Sequence, residues 1–129
     1  GNASTTNITN AATLDLNGLG SFFANLGSGT FRVGSPTNAN GTSVGGSTMS
    51  LAVNNIIYAA NFNADSPDTG VLQTIRLGGG TNEINANTVT IGASGIARSS
   101  GLLEFGGLTG TVRIRALDGV AAAGDGAAV

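Results

Sequence analysis

The 129-residue chain has no cysteine, no histidine and no tryptophan, and all five of its basic residues are arginine. Without Cys or His there is no zinc or iron–sulfur ligand set, no Cys or Ser–His nucleophile system and no imidazole base. The lack of cysteine leaves the redox compartment open, because a long repetitive fold can do without disulfides. Charge is scarce as well. Only 9% of residues are charged and the net charge is −2, so the clustered positive field that nucleic acid or an anionic membrane requires is missing. No run of 18 apolar residues occurs, which excludes a helical membrane span. Neither a metal nor an organic cofactor is expected.

What fills the chain instead is 22 glycines among many Asn, Ser and Thr residues, at a hydrophobic content of 40%. That composition makes short strands and tight turns around one core. The stretch Asn82-x-Ile84-x-Ala86-x-x-Val89-x-Ile91 can be laid on Asn55-x-Ile57-x-Ala59-x-x-Phe62-x-Ala64 and on Asn7-x-Thr9-x-Ala11-x-x-Leu14-x-Leu16. Apolar or small residues alternate, step by two at Asn87-Thr88, then alternate again, as in two short strands meeting at a bend. A shorter module, Thr30-Phe31-Arg32-Val33, recurs as Thr48-Met49-Ser50-Leu51, Thr74-Ile75-Arg76-Leu77 and Thr111-Val112-Arg113-Ile114. Thr48 to Thr74 is 26 residues and Asn55 to Asn82 is 27, so the two modules advance together. A fixed period built from strands and turns indicates a β-solenoid, of about five turns at roughly 25 residues each. The alternative all-β fold, a β-sandwich, explains the alternation but not the likeness of the copies.

Residues 35–46, 65–70 and 92–101 read as surface loops, being rich in Gly, Ser, Asn and Pro. Leu19, Phe22, Phe23 and Leu26 share a helical face, which predicts a helical turn or two over Leu19 to Leu26. Residues 1–119 form the repeat domain, and 120–129 an Ala/Gly-rich tail or linker. Stacked in register, Ile57/Ile84, Phe62/Val89, Met49/Ile75 and Leu51/Leu77 make inward columns. Ile91, Val112 and Ile114 belong inside with them, and Arg32, Arg76, Glu83 and Arg113 belong outside.

The segment TNEINANTVTIGASGIARSSGLLEFGGLTGTVRIRALDG, from Thr81 to Gly119, resembles the autotransporter-associated β-strand repeat of long secreted bacterial surface proteins. Residues 47–64 and 71–78 are similar to it too, whereas the amino-terminal third is not. The resemblance implies a right-handed parallel β-helix on the outside of a bacterial cell, and it brings no catalytic residues.

Several residue sets invite a functional reading. Asn7, Asn55 and Asn82 open the long modules and are expected to form an amide ladder at a corner, satisfying turn backbone. Arg32, Arg76 and Arg113 share one slot of the short module, which predicts an outward stripe: a solubilising edge or a shallow anion or glycan groove. Glu83 and Glu104 are the carboxylates to consider for glycan cleavage, but nothing in the sequence fixes their separation. Asp65 and Asp68, and Asp118 with Asp125, lack the ligand spacing of a calcium loop. Thr88-x-Thr90 has the form of an ice-binding pair, yet its expected neighbours, Asn61-x-Asn63 and Thr13-x-Asp15, break the grid. Gly78-Gly79-Gly80 lacks the lysine of a phosphate loop. The expectation is a non-catalytic, extracellular structural solenoid, a stalk, fibre or filament. It extends by head-to-tail self-association or within a longer array. The alternative is a module that binds surface glycans or ice.

Overall fold

The computed structural model describes residues 9–34, 43–65, 71–92 and 100–118. Among these the chain is all-β, without a helix. Its strands are β1 (Thr9–Asn10), β2 (Thr13–Asp15), β3 (Ser21–Asn25), β4 (Thr30–Val33), β5 (Ser43–Val44), β6 (Thr48–Ser50), β7 (Asn54–Ala64), β8 (Leu72–Leu77), β9 (Thr81–Ile91), β10 (Ser100–Phe105) and β11 (Thr111–Arg115). All the strand pairings are parallel. One sheet has the order β10-β8-β6-β2, a second β11-β9-β7-β3 with β4 on the later half of β7, and β1 pairs β5. Parallel neighbours cannot be joined by a tight turn. Here the link from β6 to β8 runs through β7 of the other sheet, and the link from β7 to β9 runs through β8.

The long modules fold as their alternation requires. Asn55 lies opposite Asn82, Ile57 opposite Ile84, Ala59 opposite Ala86, Phe62 opposite Val89 and Ala64 opposite Ile91. Ile57 and Phe62 are fully buried and Ile84 is 1% exposed, while Ala60 and Asn61 both face away from the core at the bend. Met49 stacks on Ile75 in the other sheet, and the Leu51 N–H donates to the Arg76 carbonyl at 2.8 Å, which seats Leu51 beside Leu77. Each such side chain removed from water stabilises the fold by roughly 1.5–3 kcal/mol. Phe31 stacks on Phe62 with ring centroids 5.3 Å apart. Close approach of neighbouring turns demands glycine at Gly78, where a Cβ would clash with the Ala52 carbonyl oxygen.

Three sequence expectations are corrected. Leu19 to Leu26 is not helical: β3 alternates, with Phe22 and Ala24 against the core and Phe23 outside. The Leu14-x-Leu16 stretch does not pair with the second half of a long module, because Leu14 lies opposite Met49. The four short modules are not equivalent. Thr48 and Thr74 pair with each other, but Thr30–Val33 lies against Asn61–Ala64 and Thr111–Arg115 against Thr81–Asn85. The first and last copies therefore belong to the sheet of long strands. Their Thr-apolar-Arg-apolar pattern fits any strand with one buried face, so it does not specify which sheet. Among the described residues the sheets are four strands deep.

Burial follows position in the stack. Ile91, expected inside, is 41% exposed, and Val89, Val112 and Ile114 are partly buried, since these residues lie on the outermost strand of their columns. Glu83 and Arg32, expected to be exposed, are half-buried beneath ion-pair partners. The expected tail at 120–129 lies outside the described residues.

Candidate functional site

Asn55 and Asn82 form the expected rung of amides inside the corner. Asn55 Nδ2 donates to Asn82 Oδ1 at 2.7 Å and to the Ala52 carbonyl at 2.7 Å. Asn82 Nδ2 donates to the Gly78 carbonyl at 2.9 Å and the Thr111 carbonyl at 3.0 Å, while the Gly78 N–H donates to Asn82 Oδ1 at 3.0 Å. Asn82 is fully buried, and all four hydrogen-bonding positions of its amide are used, two as donor and two as acceptor. It ties together three successive levels of the stack. Asn7 lies outside the described residues, and the place beside Asn55 that it was expected to fill is held by Phe22.

The arginines do not form a stripe. Arg32 lies opposite Asn63, Arg76 between Ser50 and Glu104, and Arg113 opposite Glu83. These are three different columns, and in each the guanidinium meets a carboxylate from an adjacent level. Arg32 Nη1 donates to Asp65 Oδ1, and Arg32 Nη2 donates to the Asn63 side-chain oxygen at 2.8 Å in the amide orientation that satisfies both. Arg76 Nε donates to Glu104 Oε1 at 2.8 Å, and Arg113 Nη1 lies 3.9 Å from Glu83 Oε2. An anion groove is thereby lost, and the cations serve to hold parallel neighbours in register. The pairs differ in worth. Arg76→Ala is expected to change stability by less than about 0.5 kcal/mol, as for other exposed pairs. Arg32→Ala is expected to cost about 1–3 kcal/mol, because the largely buried Asp65 and Asn63 lose their donor. Urea unfolding followed by circular dichroism checks both.

No catalytic cluster assembles among the described residues. Glu83 is on β9 and Glu104 on β10, in different sheets, each occupied by its arginine. No group of three or more acidic residues that could hold a metal ion occurs there. Asp65 serves Arg32, and Asp68 and Asp125 lie outside the described residues. Thr88 and Thr90 are stacked on Asn61 and Asn63, and these in turn on Thr30 and Arg32 rather than on Thr13 and Asp15, so these columns form no flat Thr grid among the described residues.

Two features were not legible beforehand. Gln73, buried completely, accepts from the Ser47 N–H at 3.0 Å and donates to the Gly45 and Val71 carbonyls, both at 3.2 Å. It clamps the entry to two neighbouring levels, and no repeated counterpart marks it in the sequence. Phe23 is 64% exposed, with its ring 6.2 Å from that of Tyr58, beside a shallow groove of about 300 Å³ lined in part by Ile56, Thr81 and Glu83. The helical reading of Leu19 to Leu26 hid this outward aromatic pair.

The ends of the stack differ from its middle. Ile57, Phe62, Ile75 and Ile84 on the central strands are sealed. Leu16, Phe22 and Ala24 at one end, and Leu103, Val112 and Ile114 at the other, are only partly buried. In the first level Phe31 and Val33 are closed, but Leu14, Leu19, Phe23 and Leu26 are 42–64% exposed. At the far end Phe105 is 37% exposed and Leu108 fully so. Among the described residues, the outer edges of β2, β3, β10 and β11 carry no paired strand. No family model, curated protein or solved structure matches the chain.

Proposed function

We propose that this chain is a non-catalytic structural segment, a β-solenoid that builds a stalk, fibre or filament outside a bacterial cell. The observation that carries the reading is that, among the described residues, the apolar core is only partly buried at both ends of the stack and the outer strand edges there carry no paired strand. Unpaired parallel edges above a partly buried core are completed by another level of the same kind. The resemblance of residues 81–119 to the autotransporter-associated repeat supports the extracellular placement and the helical coil. The arginine ion pairs and the amide rung support a scaffold role, since each engages polar groups in holding register. No helix among the described residues is long and apolar enough to cross a membrane.

Light scattering across a concentration series tests this reading. The mass is expected to rise above 12.5 kDa with concentration, and electron microscopy is expected to show rods of constant width. A monodisperse monomer of 12.5 kDa at high concentration contradicts it.

A second reading, recognition of surface glycans, is favoured by one observation. Phe23, its ring 6.2 Å from that of Tyr58, lines one shallow groove with Glu83, the pairing of apolar face and polar acceptor that a sugar ring engages.

A further inference from the structure

We infer that the two ends of the described strand stack are complementary faces of one seam, on which β11 of one copy takes β3 of a second copy in register, and β10 takes β2. This rests on the structural reading above and specifies its partner and its alignment.

The argument starts from the columns. Through the sheet of long strands run Phe22/Asn55/Asn82/Val112 and Ala24/Ile57/Ile84/Ile114. Through the other sheet run Leu14/Met49/Ile75/Leu103 and, two residues on, Leu16/Leu51/Leu77/Phe105. Each of these four inward columns ends in an apolar residue at both ends, even the one whose middle is the Asn rung. Seating a second copy one strand spacing beyond the first, about 4.8 Å on, sets Phe22 on Val112, Ala24 on Ile114, Leu14 on Leu103 and Leu16 on Phe105. All four contacts are apolar on apolar, and all eight residues are incompletely buried in the single chain.

β3 and β11 are both five residues long, and the three residues of β2 fall on Leu102, Leu103 and Glu104 of the six-residue β10. Outside the core, the same alignment brings Arg113, 60% exposed at its side chain, over the exposed ring of Phe23, a cation–π pair. At the corner it brings Leu108 toward Leu19, which are 105% and 48% exposed. The one like-charge contact is Asp15 over Glu104, and Glu104 already accepts from Arg76 at 2.8 Å. The seam has unlike surfaces, so it does not close on itself and propagates in one direction.

A chain without cysteine allows a clean test in the intact 129-residue chain. Within one copy, positions 23 and 113 are three strand steps apart, about 14 Å, too far for a disulfide. Across the seam they are neighbours, about 4.8 Å apart at Cα, within disulfide range. The double variant Phe23→Cys/Arg113→Cys, mildly oxidised, is expected to give a ladder of covalent multiples on a non-reducing gel, while either single variant stops at dimer or below. Ser21→Cys/Thr111→Cys, in an adjacent outward slot, repeats the test if the first pair disturbs folding, with circular dichroism confirming the strand signal. If light scattering reports association but neither double variant gives a ladder, the seam is wrong and the structural reading stands. If both double variants fold and remain monomeric, the seam and the filament fall together.

Discussion

Ile84→Asp is expected to abolish cooperative folding. Ile84 lies at the centre of its column, flanked by Ile57 and Ile114, and is 1% exposed. Removing the side chain from a packed site costs roughly 2–5 kcal/mol, and an unpaired carboxylate there adds several more. A small domain has only about 5–15 kcal/mol in total. Thermal unfolding by circular dichroism should show no sigmoidal transition above room temperature. Leu72→Asp, one sheet away at a site 46% exposed, is the comparison and should move stability by no more than about 0.5 kcal/mol. An Ile84→Asp protein that melts within about a degree of the unsubstituted chain contradicts the inward placement of the column.

Asn82→Ala should rank next. It leaves the Gly78 N–H and the Thr111 carbonyl without their side-chain partner and takes from Asn55 one of its two acceptors. At roughly 1–3 kcal/mol for each of these three groups, the loss is about 3–9 kcal/mol. Asn82→Asp should not rescue it, although the shape is kept, because a carboxylate cannot donate to the Gly78 and Thr111 carbonyls. Asn87, exposed at the bend of β9, is the control: Asn87→Ala should stay within about 0.5 kcal/mol. Urea midpoints measured side by side decide between a ladder that organises the corner and an amide that merely fills it.

These two residues mark where the sequence speaks clearly. Asn82 and Ile84 belong to the one pair of modules that match over their whole length, and a match of that length admits a single register once one face is buried. The short modules carry too little information for that. Thr30–Val33 and Thr111–Arg115 satisfy the same alternation as Thr48 and Thr74 yet lie in the other sheet, where they follow β3 and β10. The turn from β2 to β3 and the turn from β10 to β11 differ in length from Gly78-Gly79-Gly80, so counting from one copy to the next misplaces them. The arginine stripe failed for that reason alone, since its three members were aligned through modules that are not equivalent. Phe22-Phe23 was misread because two adjacent aromatics satisfy a helical face as readily as they straddle a strand. The ion-pair partners Asp65, Glu83 and Glu104 stand in neighbouring levels, a relation that local pattern does not encode.

The claim from which all of this follows is that successive passes of the chain lie parallel and in register. Nuclear Overhauser contacts in isotope-labelled protein test it most directly. The account predicts contacts between the side-chain amides of Asn55 and Asn82, 27 residues apart, and between the methyl groups of Ile57 and Ile84. It also predicts no close Hα–Hα contact between β7 and β9, because their strands run the same way. Strong Hα–Hα contacts between those two segments, the mark of antiparallel neighbours in a sandwich, would contradict it.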